Sequence, residues 1–455
     1  MKLPLQPPDL AHALLKLKPE VVARVLQNQS PLINGEYLHW DDVRHRTPPE
    51  GLSSEDWWLA IKLARQGMLR PLPLLDKAGR PLVFGTPEPV LIHLHHIDRD
   101  AAGEIRSAGG MAAKEHQRRY LVNSLIEEAI TSSQLEGAST TRRVAEAMLR
   151  EGRKPRDHSE RMIFNNFTVM QAIRTLRDAP IAPARILELH RMLTADTLDD
   201  PQDAGRLRRS DDVRVVDNRD GGLLHQPPPF RELPERLEHL CQFANAAEDS
   251  VPFVHPVLRA ALLHFMIGYD HPFADGNGRT ARALFYWSMA RSGYWLMEFL
   301  SISNFLRRAP AQYVRAYLHS ETDGGDTTYF LLHQLEIIRC AIGSLHDYLA
   351  RAIEAQHATE LMLASSPALR ERLNHRQIDL LTHALKHPGE NYRVEGHQRT
   401  HGVVYQTART DLLTLAGQGL LTKSRAGRAF VFRAPADLQR RIAELAMDGQ
   451  GSGRQ

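Results

Sequence analysis

Residues 271–282 read His271-Pro272-Phe273-Ala274-Asp275-Gly276-Asn277-Gly278-Arg279-Thr280-Ala281-Arg282. Upstream, Pro256 to Asp270 places apolar residues three and four apart, which predicts an amphipathic helix that stops at the His-Pro pair. Downstream, Thr280 to Arg291 has the same period, so a second helix begins as the loop ends. Glycines at 276 and 278 let backbone N–H groups converge on an anion, and a helix N-terminus adds unsatisfied donors and a positive dipole end. Arg279 and Arg282, three apart, project from one face of the first turn as two guanidinium forks. Together these features describe a polyphosphate clamp. Asp275 stands where it can hold Mg²⁺ against the phosphates, and His271 can take a proton from an incoming nucleophile. Phe273 is expected to point inward and anchor the loop. Any one of these residues is common in an ordinary interhelical turn; all of them within twelve positions are not.

The surrounding chain narrows the class. At 455 residues, with 42% hydrophobic and 24% charged composition, it matches neither a disordered nor a fibrous protein. Length alone suggests about three domains. Cys241 and Cys340 are the only cysteines and form no metal-binding or disulfide framework, which fits a reducing compartment. No apolar run nears the ~18 residues of a membrane span, and no signal-peptide pattern opens the chain. A cytoplasmic location is the expectation.

Charge is unevenly distributed. Between Ser366 and Pro435, eleven Lys and Arg face five Asp and Glu, although the whole chain is only +3. A basic C-terminal module therefore follows a mildly acidic body. Residues 1–115, with many prolines and with Trp40, Trp57 and Trp58, suggest an N-terminal α+β region; Arg80 to Gly85 reads as a short strand. Residues 116–360 are dominated by helical periodicity, for example Tyr120 to Glu136 and Arg161 to Arg177. They are interrupted by a hairpin whose arms are Arg214-Val215-Val216 and Leu223-Leu224. His93 and His95 would share one face of a strand near Asp98, but a solvated His-rich stretch accounts for them. The basic run Arg206 to Arg209 reads as a solvated face. Residues 448–455, rich in Gly, Gln and Ser, are expected to be a disordered tail.

The 271–282 segment resembles, position for position, the HPFx[D/E]GNGRxxR signature of Fic-family proteins. The similarity extends to Leu189-His190-Arg191, Gly205-Arg206-Leu207-Arg208, the hairpin and Gly325-Asp326, covering roughly residues 116–350. It implies a mainly α fold: a Fic-type helical core with a β-hairpin flap. It also implies protein adenylyltransfer, in which AMP passes from ATP to a Ser, Thr or Tyr hydroxyl and pyrophosphate leaves. By the resemblance His271 is the general base and Asp275 holds Mg²⁺. Gly276, Asn277 and Gly278 cradle phosphates, while Arg279 and Arg282 bind the β/γ end. Val215, Val216, Leu223 and Leu224 form the flap that pairs with the target as an added strand. Tyr313, Tyr317 and Asp323 fall near the family's nucleoside pocket.

Ser132-Ser133-Gln134-Leu135-Glu136-Gly137 resembles the family's (S/T)xxxE(G/N) inhibitory motif. Gly137 would close the preceding helix as its C′ residue, leaving Glu136 fixed at the helix end. The resemblance implies that Glu136, with Ser132 nearby, pairs with Arg282 and blocks the γ-phosphate, making this a self-inhibited chain. In some relatives the same glutamate serves removal of AMP, so de-AMPylation is a further implication, as is a homodimer.

Residues 366–435 show a helix from Arg376 to Leu385, helices near 396–402 and 404–417, and a basic-tipped hairpin from Leu420 to Phe432. The pattern resembles a winged helix-turn-helix. DNA contacts would fall on Tyr405, Gln406, Thr407, Arg409, Lys423, Arg425 and Arg428; docking of a protein is the other use of such a module. The alternatives to ATP-dependent adenylyltransfer are transfer from UTP or a phosphocholine donor, a DNA-binding regulator whose core senses nucleotide, and a toxin acting on a topoisomerase.

Overall fold

The computed structural model describes residues 2–101, 110–217, 219–247, 249–387, 389–426 and 429–448. Helices dominate it. Among the described residues, strands form only two hairpins (Arg70–Leu75 with Pro81–Phe84, Val215–Val216 with Leu223–His225) and one three-stranded antiparallel sheet. No helix of the described residues is long and apolar enough to cross a membrane. The chain forms two units, Met1–Glu104 with Asn123–Gly343, and Ile105–Val122 with Ser344–Gln455.

That division differs from boundaries at residues 115 and 360, because residues before 104 are tied into the first unit. Lys62 donates to Asp323 at 2.9 Å, the Tyr37 hydroxyl to Asp326 at 2.6 Å, and Arg65 to the Tyr329 hydroxyl at 2.8 Å. Val83 also bridges to Asp326 through the backbone. The His93–His96 stretch is not a strand. It lies on the helix Glu88–Ala101, whose buried Val90, Leu94, Ile97 and Ala101 recur at helical spacing. Asp98 accepts from Tyr294 at 2.6 Å and pairs with His255 at 3.0 Å.

At the centre of the first unit is the helix Pro256–Asp270. It starts with Pro at N1 and a His255 side-chain cap, and ends in the left-handed His271. Every residue from Val257 to Asp270 except Gly268 is buried, so this helix is enclosed by protein rather than two-faced as its period suggested. The helices Asn277–Arg291 and Leu233–Ala244 pack against it, and His158–Leu176 and Pro183–Thr194 pack on Asn277–Arg291. This second helix begins three residues before the periodicity does, because Gly276 at φ 82° takes the N-cap position. Phe265, Phe273, Phe285 and Trp287 are fully buried between these elements, each burial stabilising by roughly 1.5–3 kcal/mol.

The second unit has its own core of Leu380, Leu381, Leu412, Leu415, Phe432 and Ile442, among others. Its helices His375–Lys386, Val394–His401 and Tyr405–Gly417 accompany a sheet in which Ala429–Arg433 lies between Asn391–Tyr392 and Thr422–Ala426. The buried Asp411 joins the helices, accepting from Arg376, Asn374 and His397. Arg428 and the tail beyond Asp448 lie outside the described residues.

Candidate active site

His271 sits where a buried helix ends, and the chain turns there through the left-handed region (φ 44°). Its Nδ1 lies 3.0 Å from the Gly268 carbonyl. A carbonyl only accepts, so Nδ1 carries the proton and Nε2 is left as the basic nitrogen. Burial lowers the His271 pKa below its ordinary value, with His225 and Arg208 acting the same way; the Gly268 hydrogen bond and Glu136 oppose the shift. The imidazole is therefore neutral, the form a general base needs.

The loop after it is braced from within. Phe273 is buried and stacks on His190, ring centroids 3.8 Å apart. Asn277 donates to the Phe273 carbonyl at 2.9 Å and accepts from its N–H at 3.0 Å. Its amide thus closes the loop on itself, leaving only its backbone N–H for an anion. His190 holds the other side: Nδ1 accepts from Gly205 N–H at 3.0 Å and Nε2 donates to the Asp275 carbonyl at 2.9 Å. Burial depresses its pKa to about 4, so it is a neutral structural ring. A Cβ on Gly276 would stand 2.8 Å from Thr194 Cγ2, so the helix start can pack this closely only with glycine there.

The two arginines of the loop differ. Arg279 is buried, donates to the Leu193 carbonyl at 3.1 Å and lies 3.4 Å from an Asp275 carboxylate oxygen. Burial lowers its pKa, with Asp275 and Glu136 opposing. Arg282 is held by the end of the helix Gly110–Leu135. Its Nε donates to the Ser132 hydroxyl at 2.8 Å, and one terminal nitrogen donates to the Ser132 carbonyl at 2.9 Å and to Glu136 Oε1 at 2.8 Å. Burial alone would depress this guanidinium, but Glu136 carries it above its ordinary value. Gly137, at φ 95°, turns the chain away immediately afterwards. Gly278 lies directly beneath: a Cβ there would come within 2.1 Å of Glu136 Oε1.

His271, Gly278, Arg282 and Glu136 face one cavity of about 270 Å³. Val215 and Leu224 of the hairpin line it too, whereas Val216 and Leu223 are exposed outside it. Tyr313 and Tyr317, on the helix Pro310–Thr322, supply aromatic wall. Asp323 faces the N-terminal segment instead, paired with Lys62. Asp275 is not a wall residue. Its carboxylate is 58% exposed and only loosely held by Arg279, so its oxygens are free to ligate a hard cation. One carboxylate beside substrate phosphates is a donor set that suits Mg²⁺.

Two further residues matter that the motifs did not single out. Arg208, in a run that read as solvated, is 5% exposed. It donates to the His271 carbonyl at 3.0 Å and to the Pro228 carbonyl, and its own N–H reaches the Pro272 carbonyl at 2.8 Å. It holds the backbone at His271 and ties the hairpin's exit to it. His225, on the second hairpin strand, sits 2.7 Å from the Tyr269 carbonyl and 2.7 Å from Glu321, itself 2.6 Å from Lys77. Only the quoted Gly-Arg-Leu-Arg stretch hinted at Arg208; nothing local marked His225.

The Fic/DOC family model matches residues 180–289. Proteins named protein adenylyltransferase Fic from Drosophila melanogaster and Drosophila sechellia are each 30% identical over 203 residues, covering 43% of this chain. The aligned stretch spans only 37% of those relatives' length. A crystal structure of a Fic family protein from Desulfovibrio desulfuricans G20 superposes with a TM-score of 0.51 at 18% identity, covering 77% of this chain and 97% of that one, which shows a shared fold. Residues 180–289 are therefore similar in sequence to the Fic/DOC family, and the chain shares its fold with a solved Fic family protein.

Proposed function

We propose that the first unit transfers AMP from ATP to a Ser, Thr or Tyr hydroxyl of a protein, and that Glu136 holds it in check. The observation that carries this reading is one cavity in which a neutral His271 stands beside Arg282, with Glu136 already occupying that guanidinium. The target hydroxyl gives its proton to His271 Nε2 as its oxygen attacks the α-phosphorus. The Pα–O bond to the β-phosphate breaks and pyrophosphate carries off the electron pair. Backbone N–H groups at the start of Asn277–Arg291 and the Arg282 fork orient the triphosphate and offset its charge. Mg²⁺, held by Asp275, would neutralise phosphate charge. The aromatic wall of Tyr313 and Tyr317 suits a nucleoside base, and Val215 and Leu224 are placed to guide an extended segment of the target past His271.

The test uses Glu136→Gly protein, Mg²⁺ and cell lysate with ATP labelled on either the α- or the γ-phosphate. Protein-bound label is expected from the α-label alone. Label from γ instead, or from neither while ATP binds, sinks the reading; label from UTP or a phosphocholine donor in its place would keep the site and change the donor.

A second reading concerns the other unit, which we infer to be a winged-helix DNA-binding module. It rests on the exposed face of Tyr405–Gly417, where Tyr405, Gln406 and Arg409 are solvent-facing, and on exposed Lys423 and Arg425, whose charges lie over Phe430 at 4.0 and 5.4 Å. Duplex DNA should bind with an affinity that falls steeply with salt. Arg409→Ala together with Arg425→Ala should weaken it; equal binding by the variant, or none by the wild type, would point to a protein partner.

A further inference from the structure

The C-terminal unit contains a side-chain cluster that neither reading uses. His383 lies on the last turn of the helix His375–Lys386, His387 is its C-cap, and Glu390 follows three residues later. One donor atom from each lies within 4.8 Å of the others. Residues four apart at a helix end project to the same side, and the two imidazole centroids are 4.2 Å apart. Glu390 Oε2 approaches His383 Nδ1 at 3.9 Å, too far for a hydrogen bond and close enough for both to reach one ion. His387 Nδ1 is buried and has no hydrogen-bond partner among the described residues. A buried ring nitrogen with no partner costs free energy unless something unseen occupies it.

From this arrangement we propose that His383, His387 and Glu390 bind a borderline divalent cation of the zinc class. Two imidazole nitrogens and one carboxylate suit Zn²⁺ and disfavour Mg²⁺ or Ca²⁺, which take oxygen donors. The donors need to close by at most about 1.5 Å to reach the ~3.3 Å separations that tetrahedral bonds of ~2.0 Å require. The surroundings limit how far the loop can move. Gly389, at φ 87°, makes the turn, and its carbonyl accepts from Arg433 at 2.8 Å. The Tyr392 hydroxyl lies 3.0 Å from His383 Nδ1; it orients the ring if Nε2 is the ligand, and is displaced or recruited if Nδ1 is. The fourth position is left for water. Arg433 places positive charge nearby, and the Glu390 carboxylate offsets it. Such an ion would join the end of His375–Lys386 to the strand Asn391–Tyr392, a structural role separate from the chemistry at His271.

The full chain, stripped by chelator, would be titrated with Zn²⁺ alone in competition with a chromogenic chelator. One tight equivalent is expected for the wild type. The His383→Gln/His387→Gln variant should lose that equivalent, and Glu390→Gln, an exposed and shape-preserving change, should weaken it by about 10- to 100-fold or more. Protection of the 387–392 loop from protease should rise with Zn²⁺ in the wild type only. The chain has 23 histidines, so a tight equivalent that survives in the double variant belongs elsewhere and overturns the assignment. So does the absence of any tight equivalent in the wild type. Should the double variant fold poorly, Glu390→Gln decides: unchanged affinity there overturns the site.

Discussion

His271→Ala, made in the Glu136→Gly protein, is expected to lower the rate of AMP transfer by about 10²–10⁴-fold, the usual worth of a positioned general base. ATP affinity should change little, because in the proposed reaction the phosphates are bound by the loop backbone and Arg282 rather than by the imidazole. The pH profile offers a second check. The active form is the neutral ring, and burial lowers the His271 pKa. The acid limb of the transfer rate should therefore fall below the ordinary histidine value of about 6.5. Glu136 is one of the groups that raises this pKa, so its removal should push the limb lower still. A variant that keeps most of its rate, or an acid limb well above 6.5 that belongs to another group, would remove His271 from the base role.

The second large effect is expected at the brake. Glu136→Gly should raise the initial transfer rate by about ten- to a hundredfold at fixed ATP. Glu136 occupies Arg282 at 2.8 Å, and a charge-assisted hydrogen bond of this kind is worth about 1.5–3 kcal/mol, each 1.4 kcal/mol being tenfold. A triphosphate must displace that contact before it can use the fork. The same change has a cost. Arg282 is 2% exposed while the Glu136 side chain is 23% exposed, so the variant leaves a buried cation with only Ser132 among the two motif partners. Its Tm without nucleotide should drop, and ATP should restore it more than in the wild type. Glu136→Gln, which keeps the shape but loses the charge, should fall between the two. Equal rates for Glu136→Gly and wild type, with ATP bound in both, would mean the pair is structural and not a brake.

The sequence by itself determined the loop and its flanking helices, because those features are local. Pro256, the apolar period, Gly276 and Gly278 act within a few residues of where they stand. The same holds for Gly137 ending a helix at Glu136, which let the pairing with Arg282 be anticipated once the motif's resemblance was stated. Local pattern also misled. The period of Pro256–Asp270 suggested one wet face, yet every residue from Val257 to Asp270 except Gly268 is buried. No local pattern showed that the Asn277 side chain is taken up by two hydrogen bonds to Phe273, which leave its backbone N–H for an anion. Only the tertiary structure decided what closes the cavity. Tyr313, Tyr317 and Glu321 come from a helix some forty to fifty residues further along the chain, and His225 from a hairpin before the signature. It also decided that Arg208 turns inward and that residues before 104 join the first unit through contacts such as Lys62 with Asp323, 261 positions apart. Side chains so distant in sequence leave no shared period or motif; burial pairs them only when the helices pack, since a buried charge needs a partner wherever the fold supplies one.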